Sequence, residues 1–383
     1  MPRLVNDFRN HGFSMNFVQI YQSFYETPIS GADLRNHAIA QCLRKSGSVR
    51  QIAIEALNHP STDSDVNPFI ADFGPDTPDL IVFESVWLFE YAQMARQAFP
   101  TARIVFDFHN VESALLKEMD RARLPSALRA LALALFGQRW RAAKRLEKRA
   151  IAMADAVWFC SDDDAALAEK TLKTTPASFA NIPNVRPLWC EEIPPIRPEA
   201  APVQPVILYL GHLGYAPNKS AVRRLVRKIM PAIQKQFPKA HLIVAGRSPN
   251  ARLRRFLARY RHVELVANPA EIAPLYARAD ICVLPITEGG GSRIKVLEAL
   301  SVGCPIVATA KAVEGLNLEA GRHFLLAQTP RQTQEAVARL INDPHLSAAL
   351  KDEGRRFVQA SHSAQAMLQA LEKAIAALFA HGN

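Results

Sequence analysis

Three consecutive glycines at the end of a predicted strand are the feature of the sequence best suited to chemistry. Gly289, Gly290 and Gly291 follow an apolar run that ends at Pro285, and they precede a segment with helical periodicity. Glycine lets backbone N–H groups approach a ligand closely, and a helix N-terminus adds unpaired donors and about half a positive charge. The pattern predicts a seat for an anion such as a diphosphate.

Polar side chains recur along one face of the helix behind the glycines, which is predicted over residues 292–300. Ser292, Lys295 and Glu298 are spaced three apart and therefore share this face. The lysine can neutralise phosphate, and the carboxylate one turn further can accept hydrogen bonds from ribose hydroxyls. A plain glycine-rich turn with a solvated Lys–Glu pair is the alternative.

Three more loops at strand ends or before helices hold candidate residues. Gly211 follows a predicted strand, and Asn218 is predicted to cap the next helix. Lys219 then lies in the first helical turn, where the helix dipole disfavours a cation, so an anion nearby is indicated. His109, after another strand, can donate a hydrogen bond or take part in proton transfer, or can cap the following helix. Gly31 precedes the first long helix and could belong to a phosphate or acceptor loop.

Short apolar strands alternate with helices in both halves of the chain, which is typical of parallel sheets covered on both faces. Seven prolines lie between Pro183 and Pro205, a composition typical of a linker. We therefore predict an α/β protein with two doubly wound domains. The predicted parts are an N-terminal tail (1–14), a first domain (15–190), a linker (191–205), a second domain (206–360) and a C-terminal helix (361–383).

The composition excludes a disordered, a collagen-like and a coiled-coil protein. Of 383 residues, 49% are hydrophobic and 21% are charged, which is ordinary for a soluble globular protein. The longest apolar stretch, 131–136, is far shorter than the ~20 residues of a membrane-spanning helix. The first fourteen residues lack the apolar run of a signal peptide. We therefore expect a cytoplasmic protein.

No metal site is predicted. Asp162, Asp163 and Asp164 follow Ser161 at a helix start, where acidic side chains cap backbone donors and favour the dipole. The five cysteines are scattered and form no C-x-x-C pair, which argues against a zinc site and against a disulfide framework.

Positive charge is concentrated in residues 121–150. This stretch holds nine basic residues and one acidic residue, in a chain whose net charge is +10. It could meet an anionic membrane face, a phosphorylated substrate or nucleic acid, or it could be a solvated helix face. Few aromatic residues lie between the charges, so nucleic acid is the least favoured partner.

These segments together resemble the retaining glycosyltransferases of family 4, which have the GT-B fold. In the second half the runs are VILYLGHLGYAPNKSAVRRLVRKIMPAI, LIVAGRSPNARL and YARADICVLPITEGGGSRIKVLEALSVGCPIVATAKAVEGL, and in the first half IVFDFHNVESALL. The match covers about half of the chain well and the rest by layout. It implies two Rossmann-like domains facing a cleft, the first on the acceptor side and the second binding the nucleotide sugar. The same layout allows the C-terminal helix to return to the first domain.

The resemblance also implies roles for single residues. Glu298 would bind ribose, and His109 would reach the donor sugar and the reaction centre. The expected catalytic residues are His109, Lys295 and Arg247. The expected donor-binding residues are Gly211, Lys219, Glu288, Gly289, Gly290, Gly291, Ser292, Arg293, Lys295 and Glu298, and the expected acceptor-side residues are Gly31, Asn110 and Glu112.

The sequence departs from the family at one position. The wider pattern is a glutamate, seven residues and a second glutamate, but Gly290 stands where the first glutamate is expected, and Glu288 lies two residues earlier. Either Glu288 or backbone donors would then contact the donor sugar.

The activity implied is transfer of a sugar from a nucleoside diphosphate sugar to an acceptor hydroxyl, with retention and without metal or cofactor. Bacterial surface polysaccharide or glycoconjugate assembly is the expected setting. A lipid-linked or glycan acceptor at the inner leaflet would give residues 121–150 an anionic membrane partner and a peripheral location. Two alternatives stay open, a nucleotide-sugar 2-epimerase and a non-catalytic sugar-nucleotide-binding protein.

Overall fold

The structure, a computed structural model, describes most of the chain. The described residues are 15–23, 25, 30–56, 68–123, 138–174, 176–192, 204–291 and 293–380. Contacts between residues divide the chain into two compact units. The first unit comprises Met1–Val185, Gly290–Ser292 and Ala364–Asn383, and the second comprises Arg186–Gly289 and Arg293–Ser363.

The first unit is built on a sheet of six parallel strands. These are β1 (Met15–Tyr21), β2 (Gly47–Ala53), β3 (Leu80–Phe83), β4 (Arg103–Phe108), β5 (Ala156–Phe159) and β6 (Phe179–Asn181). Their order in the sheet is β2-β1-β3-β4-β5-β6. Because β2 and β3 lie on opposite sides of β1, the connections reverse direction there, and the carboxyl ends of β1 and β3 form the crevice where such sheets bind ligands.

Helices cover this sheet. They are α1 (Gly31–Leu43), α2 (Pro68–Ala71), α3 (Phe89–Ala98), α4 (Glu112–Arg123), α5 (Gln138–Met153) and α6 (Asp162–Leu172), with short 3₁₀ turns at Ile54–Ala56 and Val86–Leu88. All four residues of β3 (LIVF) and of β5 (AVWF) are buried, as expected for strands covered on both faces. Asp162, Asp163 and Asp164 form the first turn of α6, as predicted, but the N-cap is Ser161, whose side chain accepts a hydrogen bond from the Asp164 amide.

The second unit repeats this plan. Its strands are β7 (Val206–Leu210), β8 (His241–Gly246), β9 (Val263–Ala267), β10 (Ile281–Leu284), β11 (Ile306–Ala308) and β12 (Leu325–Leu326). Their order is β12-β11-β10-β7-β8-β9, so the connections reverse direction between β7 and β10. The loops that follow β7 and β10 therefore begin at the crevice of this sheet.

The second unit holds nine of the helices that the structure describes. They are α7 (Trp189–Glu192), α8 (Ala216–Arg224), α9 (Met230–Gln236), α10 (Ala251–Leu257), α11 (Ala273–Ala277), α12 (Ile294–Val302), α13 (Ala310–Val313), α14 (Pro330–Asn342) and α15 (Pro344–Ser361). A π-helical turn, Leu225–Ile229, joins α8 to α9.

The final helix, α16 (Ala364–Ala380), belongs to the first unit and packs on α1. Its Met367 and Leu371 share one core cluster with Phe17 of β1 and Ile39 of α1. The predicted α/β class with two doubly wound sheets is confirmed, and the last helix returns as the expected layout allows. Of the helices among the described residues, none combines the length and the apolar character that crossing a bilayer requires.

Candidate functional site

The glycine loop after β10 depends on glycine for both conformation and space. Gly289 and Gly291 have φ angles of +93° and +124°, which favour glycine. A Cβ on Gly289 would lie 2.6 Å from Cγ of Pro217, and a Cβ on Gly290 would lie 2.7 Å from Oδ1 of Asn110. The Gly291 N–H donates to the same Asn110 oxygen at 3.0 Å. A side chain at any of these three positions would therefore disturb the loop.

The helix behind the loop begins later than the sequence predicts. Arg293 has a left-handed φ of 53°, so the regular turns of α12 start at Ile294 rather than at residue 292. The Arg293 guanidinium donates from Nη2 to Glu314 at 3.0 Å. Ser292, predicted to share the polar face of the helix, lies outside the described residues.

Lys295 lies on the first turn of α12 and is held by an amide side chain. Its Nζ donates to Oδ1 of Asn218 at 2.9 Å and lies 5.5 Å from the ring centre of Tyr209. Burial lowers the pKa of Lys295 to about 8, and the charge of Arg293 acts in the same direction. A Cβ on Gly211 would lie 2.8 Å from this Nζ. Glycine at the end of β7 therefore leaves room for the ammonium group.

Asn218 does not cap α8, contrary to the prediction. The helix begins at Ala216 with Tyr215 as its N-cap residue, so Asn218 lies inside the first turn and is buried. Its Oδ1 accepts from the Tyr209 hydroxyl at 2.8 Å as well as from Lys295, and its Nδ2 donates to the His212 carbonyl at 2.9 Å. The prediction failed because tertiary partners engage the amide, which the local sequence does not reveal.

Glu298 lies one turn beyond Lys295 and is 5% exposed. The Tyr276 hydroxyl donates to its Oε2 at 3.2 Å and also lies 3.2 Å from the Lys295 carbonyl. The Trp189 ring stacks on Tyr276 at 6.0 Å between centres and fixes that ring. Burial raises the pKa of Glu298 to about 7, against the lowering effects of Tyr276 and Lys295. Among the described residues, Oε1 of Glu298 has no hydrogen-bond partner, so this oxygen can accept from a ligand.

The remaining predicted cations of the second unit gather at the same edge of the sheet. Burial lowers the pKa of His212, and the charges of Arg247, Lys219 and Lys295 lower it further, which shows that all three cations lie near this ring. The Leu213 N–H donates to the Arg247 carbonyl at 2.8 Å, which ties the loops after β7 and β8 together. The edge therefore presents a concentration of positive charge suited to an anion.

Glu288 lies in the loop between β10 and the glycines and is half-buried. It directly precedes Gly289, and its contact with a donor sugar stays a prediction.

The first unit carries a second polar centre, which the sequence analysis recognised only through His109. Arg35 of α1 and Asp107 of β4 form a fully buried, bidentate ion pair with distances of 2.6 and 2.7 Å. Arg35 Nη1 also donates to the Ile182 carbonyl at 2.7 Å and to Asn184 at 3.1 Å. Burial opposes the charge of Asp107, but the guanidinium holds the pKa of that carboxyl well below its usual range.

Two sequence signals could have shown that each member of this pair needs a partner, although not which residue that partner is. Asp107 interrupts the apolar residues Ile104–Phe108 of β4 (RIVFDF), and a buried carboxylate requires a partner. Arg35 occupies the position that begins the buried stripe Arg35, Ile39 and Leu43 along α1, where an apolar residue is expected.

His109, just after β4, contacts two carboxylates through a single ring nitrogen. Nε2 lies 3.1 Å from Oδ2 of Asp107 and 3.2 Å from Oε2 of Glu84. Glu84 follows β3 and is buried, and its Oε1 accepts from Nε2 of Gln19 at 2.5 Å. Burial disfavours the charged ring, but the two carboxylates outweigh it and raise the pKa of His109 to about 9. The ring is thus held by acidic side chains rather than by the backbone of the next helix.

The same three side chains meet the distance condition for a metal site, since one ligand atom of each lies within 4.8 Å of the others. Their chemistry does not fit a metal ion. Both oxygens of Asp107 are already taken by the Arg35 guanidinium. The carboxylates of this cluster are paired with Arg35 and His109, and we assign no metal or cofactor to it.

The acceptor-side residues of the sequence analysis lie at the carboxyl edge of this sheet or at a helix start. Gly31 is the first residue of α1, behind the Ser30 side chain that caps the helix through the Asp33 amide. Glu112 is the first residue of α4. Burial raises its pKa, whereas a hydrogen bond from Asn110 opposes that rise. Asn110 and Glu112 therefore flank the same strand end as His109.

The basic stretch is described in part, because residues 124–137 lie outside the described residues. Its described helix, α5, carries exposed basic side chains at Arg145, Lys148 and Arg149. Its one acid, Glu147, is buried and accepts from the Ser113 amide at 3.2 Å. The exposed face of this helix is therefore basic.

Comparisons with known proteins agree with this architecture. Residues 204–343 match the family model described as Glycosyl transferases group 1. No curated protein matches the chain. Sucrose-phosphate synthase from Thermosynechococcus elongatus is 19% identical, covers 96% of this chain and 99% of its own, and has a TM-score of 0.69. HepE from Anabaena in complex with UDP-glucose is 16% identical over 95% of this chain and 100% of its own, with a TM-score of 0.63. A glycosyltransferase from Rickettsia africae is 14% identical over 96% and 99%, also with a TM-score of 0.63. At these identities the likeness establishes the fold, which is GT-B with two Rossmann-like domains.

Proposed function

We propose that this chain, whose residues 204–343 match Glycosyl transferases group 1, transfers a sugar from a nucleoside diphosphate sugar to an acceptor hydroxyl. The GT-B fold and the family match support the transferase activity. One observation carries the proposal: a single helix, α12, supplies a half-buried ammonium group and a buried carboxylate beside the crevice of the second sheet. Parallel sheets bind nucleotides at this edge.

The ammonium group suits the leaving group of the reaction. Glycosyl transfer releases a nucleoside diphosphate whose negative charge grows as the sugar departs. Lys295, with Lys219 and Arg247 nearby, would stabilise that charge by electrostatics that are organised before the substrate binds. Because Asn218 holds Lys295 Nζ at 2.9 Å, little reorganisation is needed when the diphosphate arrives.

The carboxylate suits the ribose. Tyr276 occupies Oε2 of Glu298, whereas Oε1 is open to a hydrogen bond from a ribose hydroxyl. A hydroxyl that donates to this oxygen favours the ionised carboxylate, so binding would lower the raised pKa of Glu298.

We propose further that transfer proceeds with retention and without a metal or cofactor, as the family resemblance implies. Cationic side chains would take the place of a divalent ion at the diphosphate. The sugar itself would meet either Glu288 or the backbone N–H groups of the glycine loop. His109 would act toward the donor sugar, and Gly31, Asn110 and Glu112 toward the acceptor.

A panel of nucleoside diphosphate sugars tests the activity, read first by thermal shift and then by release of the nucleoside diphosphate. We expect one donor to raise the melting temperature and Glu298→Ala to abolish that rise. The matched control is Glu319→Ala, which removes an exposed glutamate of the same unit. Failure of every donor to bind would refute the proposal. Formation of an epimer without acceptor would indicate an epimerase, and tight binding without turnover would indicate a binding protein.

We also propose that the basic residues 121–150 bring the protein to an anionic leaflet, where a lipid-linked acceptor of surface polysaccharide or glycoconjugate assembly would reside. Each basic residue near such a surface contributes ~1 kcal/mol. The exposed indole of Trp87 supports this partner. It lies in the 3₁₀ turn that α5 contacts, and indoles favour the membrane interface.

Vesicle binding tests this second proposal. We expect vesicles of phosphatidylcholine and phosphatidylserine to retain the protein at low salt and to release it at high salt, while pure phosphatidylcholine retains none. The variant Arg145→Glu/Lys148→Glu should lose retention, whereas Arg255→Glu/Arg259→Glu, the same charge change on the second unit, should keep it. A protein that stays in solution with the anionic vesicles at low salt contradicts the proposal.

A further inference from the structure

Two buried carboxylates approach the same nitrogen of the His109 ring. Oδ2 of Asp107 and Oε2 of Glu84 lie 3.1 and 3.2 Å from Nε2. The Arg35 guanidinium keeps Asp107 ionised, so an unprotonated nitrogen would present its lone pair to an anionic oxygen of Asp107, which is repulsive. Nε2 therefore carries a proton. Among the described residues Nδ1 has no hydrogen-bond partner, and the side chain is 17% exposed, so the other nitrogen is open to a ligand.

The two carboxylates differ in how their charge is balanced. Asp107 is paired through both oxygens with the buried guanidinium of Arg35. Glu84 receives a hydrogen bond from the neutral amide of Gln19, and among the described residues its cationic partner is His109. An ionised carboxylate that is 2% exposed needs such a partner, so Glu84 and the charge of His109 stabilise each other.

We infer that Glu84 is a positioning residue which, together with Asp107, holds His109 as an imidazolium with Nε2–H turned inward and Nδ1–H presented to a ligand as a hydrogen-bond donor. This deepens the proposed function and rests on it. An imidazolium cannot accept a proton, so His109 would act on an oxygen of the donor by hydrogen bonding and charge. Such a group stabilises developing negative charge rather than serving as a general base.

The charge state of His109 depends on every ionisable group around it. The neighbouring elements contribute Arg35 from α1, Glu84 after β3, Asp107 from β4, Glu112 from α4 and Cys160 after β5. Burial raises the pKa of the Cys160 thiol to about 12, so it stays neutral. Asp107 is already neutralised by Arg35. A substitution of Glu84 therefore isolates the effect of a single carboxylate on the charge of His109.

Nitrogen NMR of histidine-labelled protein tests the inference without any substrate. In the wild-type protein we expect both ring nitrogens of His109 to be protonated at neutral pH, with a titration midpoint above about pH 8. Glu84→Gln keeps the shape of the side chain and removes its charge, so the midpoint should fall by about 1–3 pH units. Glu90→Gln, an exposed glutamate on α3, is the matched control and should leave the midpoint unchanged.

A neutral His109 ring in the wild-type protein at neutral pH would overturn the inference. So would a Glu84→Gln midpoint equal to the wild-type one. The wild-type spectrum decides the matter even where the variant does not fold, and His109→Gln assigns the resonance.

Donor turnover tests whether the charge of His109 acts on the donor, with release of UDP from UDP-glucose and of GDP from GDP-mannose as the probes. If the midpoint falls by two pH units, the charged fraction near pH 8 falls about tenfold, and kcat should fall by the same factor. Lowering the pH by about two units should restore the activity of Glu84→Gln, a rescue that a merely structural role would not produce. Loss of kcat that is equal at every pH would overturn the positioning role. Absence of turnover in the wild-type protein would count against the proposed function, while the NMR result still decides how Glu84 acts on His109.

Discussion

Replacing Tyr276 with phenylalanine removes the hydroxyl that, among the described residues, donates to the buried carboxylate of Glu298. The hydroxyl lies 3.2 Å from Oε2 of Glu298 and 3.2 Å from the Lys295 carbonyl, at the long end of hydrogen-bond distances. A hydrogen bond to a charged group contributes about 1.5–3 kcal/mol, so we take the lower part of that range. Tyr276→Phe should therefore reduce the free energy of unfolding by about 1.5–2 kcal/mol at a pH above 7, where Glu298 is ionised.

The loss should depend on pH, because the hydroxyl stabilises the ionised carboxylate. Burial raises the pKa of Glu298 to about 7 from an ordinary value near 4.5. The folded protein binds this proton more tightly than the unfolded chain does, so the ionised group costs stability as the pH rises from about 4.5 to 7. Without the hydroxyl that cost grows. The difference between variant and wild type should be largest above pH 7 and should shrink toward pH 5.

Urea unfolding above pH 7 and near pH 5 measures the free energy of unfolding of both proteins. Calorimetry measures their affinity for the nucleoside diphosphate of the donor that binds. A misoriented Glu298 should weaken that affinity by up to about tenfold, which corresponds to 1.4 kcal/mol. The control is Tyr260→Phe, a tyrosine of the second unit whose hydroxyl has no hydrogen-bond partner among the described residues. Unchanged stability and affinity in Tyr276→Phe would refute the role assigned to this hydroxyl.

Three other outcomes follow from the geometry. Affinity for UDP should fall as the pH rises from about 7 to 9, because Lys295 has a pKa of about 8 and loses its charge. A Lys295→Met variant should bind UDP weakly at every pH. A wild-type affinity that does not change with pH would contradict the role of the Lys295 charge. Asp107→Ala should lower the free energy of unfolding by about 3–5 kcal/mol, since it strands the buried guanidinium of Arg35, whereas Arg35→Met/Asp107→Leu should recover most of the loss in a denaturation assay. EDTA should leave the release of nucleoside diphosphate unchanged, and a loss restored by adding Mg²⁺ or Mn²⁺ would show that the reaction needs a metal.

The sequence predicts the sheets well because their signal is local. Apolar runs such as LIVF in β3 and ICVL in β10 are typical of strands buried on both faces, and both strands are fully buried in the structure. The glycine loop is also predictable from the sequence, since the φ angles of +93° and +124° at Gly289 and Gly291 favour glycine. Local chemistry thus determines much of the frame that surrounds the crevice of each sheet.

Long-range partners are what the sequence could not reveal. Arg35 and Asp107 are 72 positions apart, and Glu84 and His109 are 25 apart, so no spacing rule connects them. The start of α12 was predicted too early because Arg293 adopts a left-handed conformation, which is uncommon for a residue with a side chain. In each case a tertiary contact overrides the local preference.

The return of α16 to the first unit has a consequence for synthesis in the cell. Met367, Leu371 and Leu378 of this helix belong to the same core cluster as Phe17 and Ile39, so the cover that α1 begins on one face of the first sheet stays incomplete until α16 exists. The ribosome makes the entire second unit between these two parts of one core. Apolar core residues of the first unit therefore stay exposed while the second unit is synthesised. Chaperones that shield nascent apolar surface should consequently bind to chains that stop before residue 364.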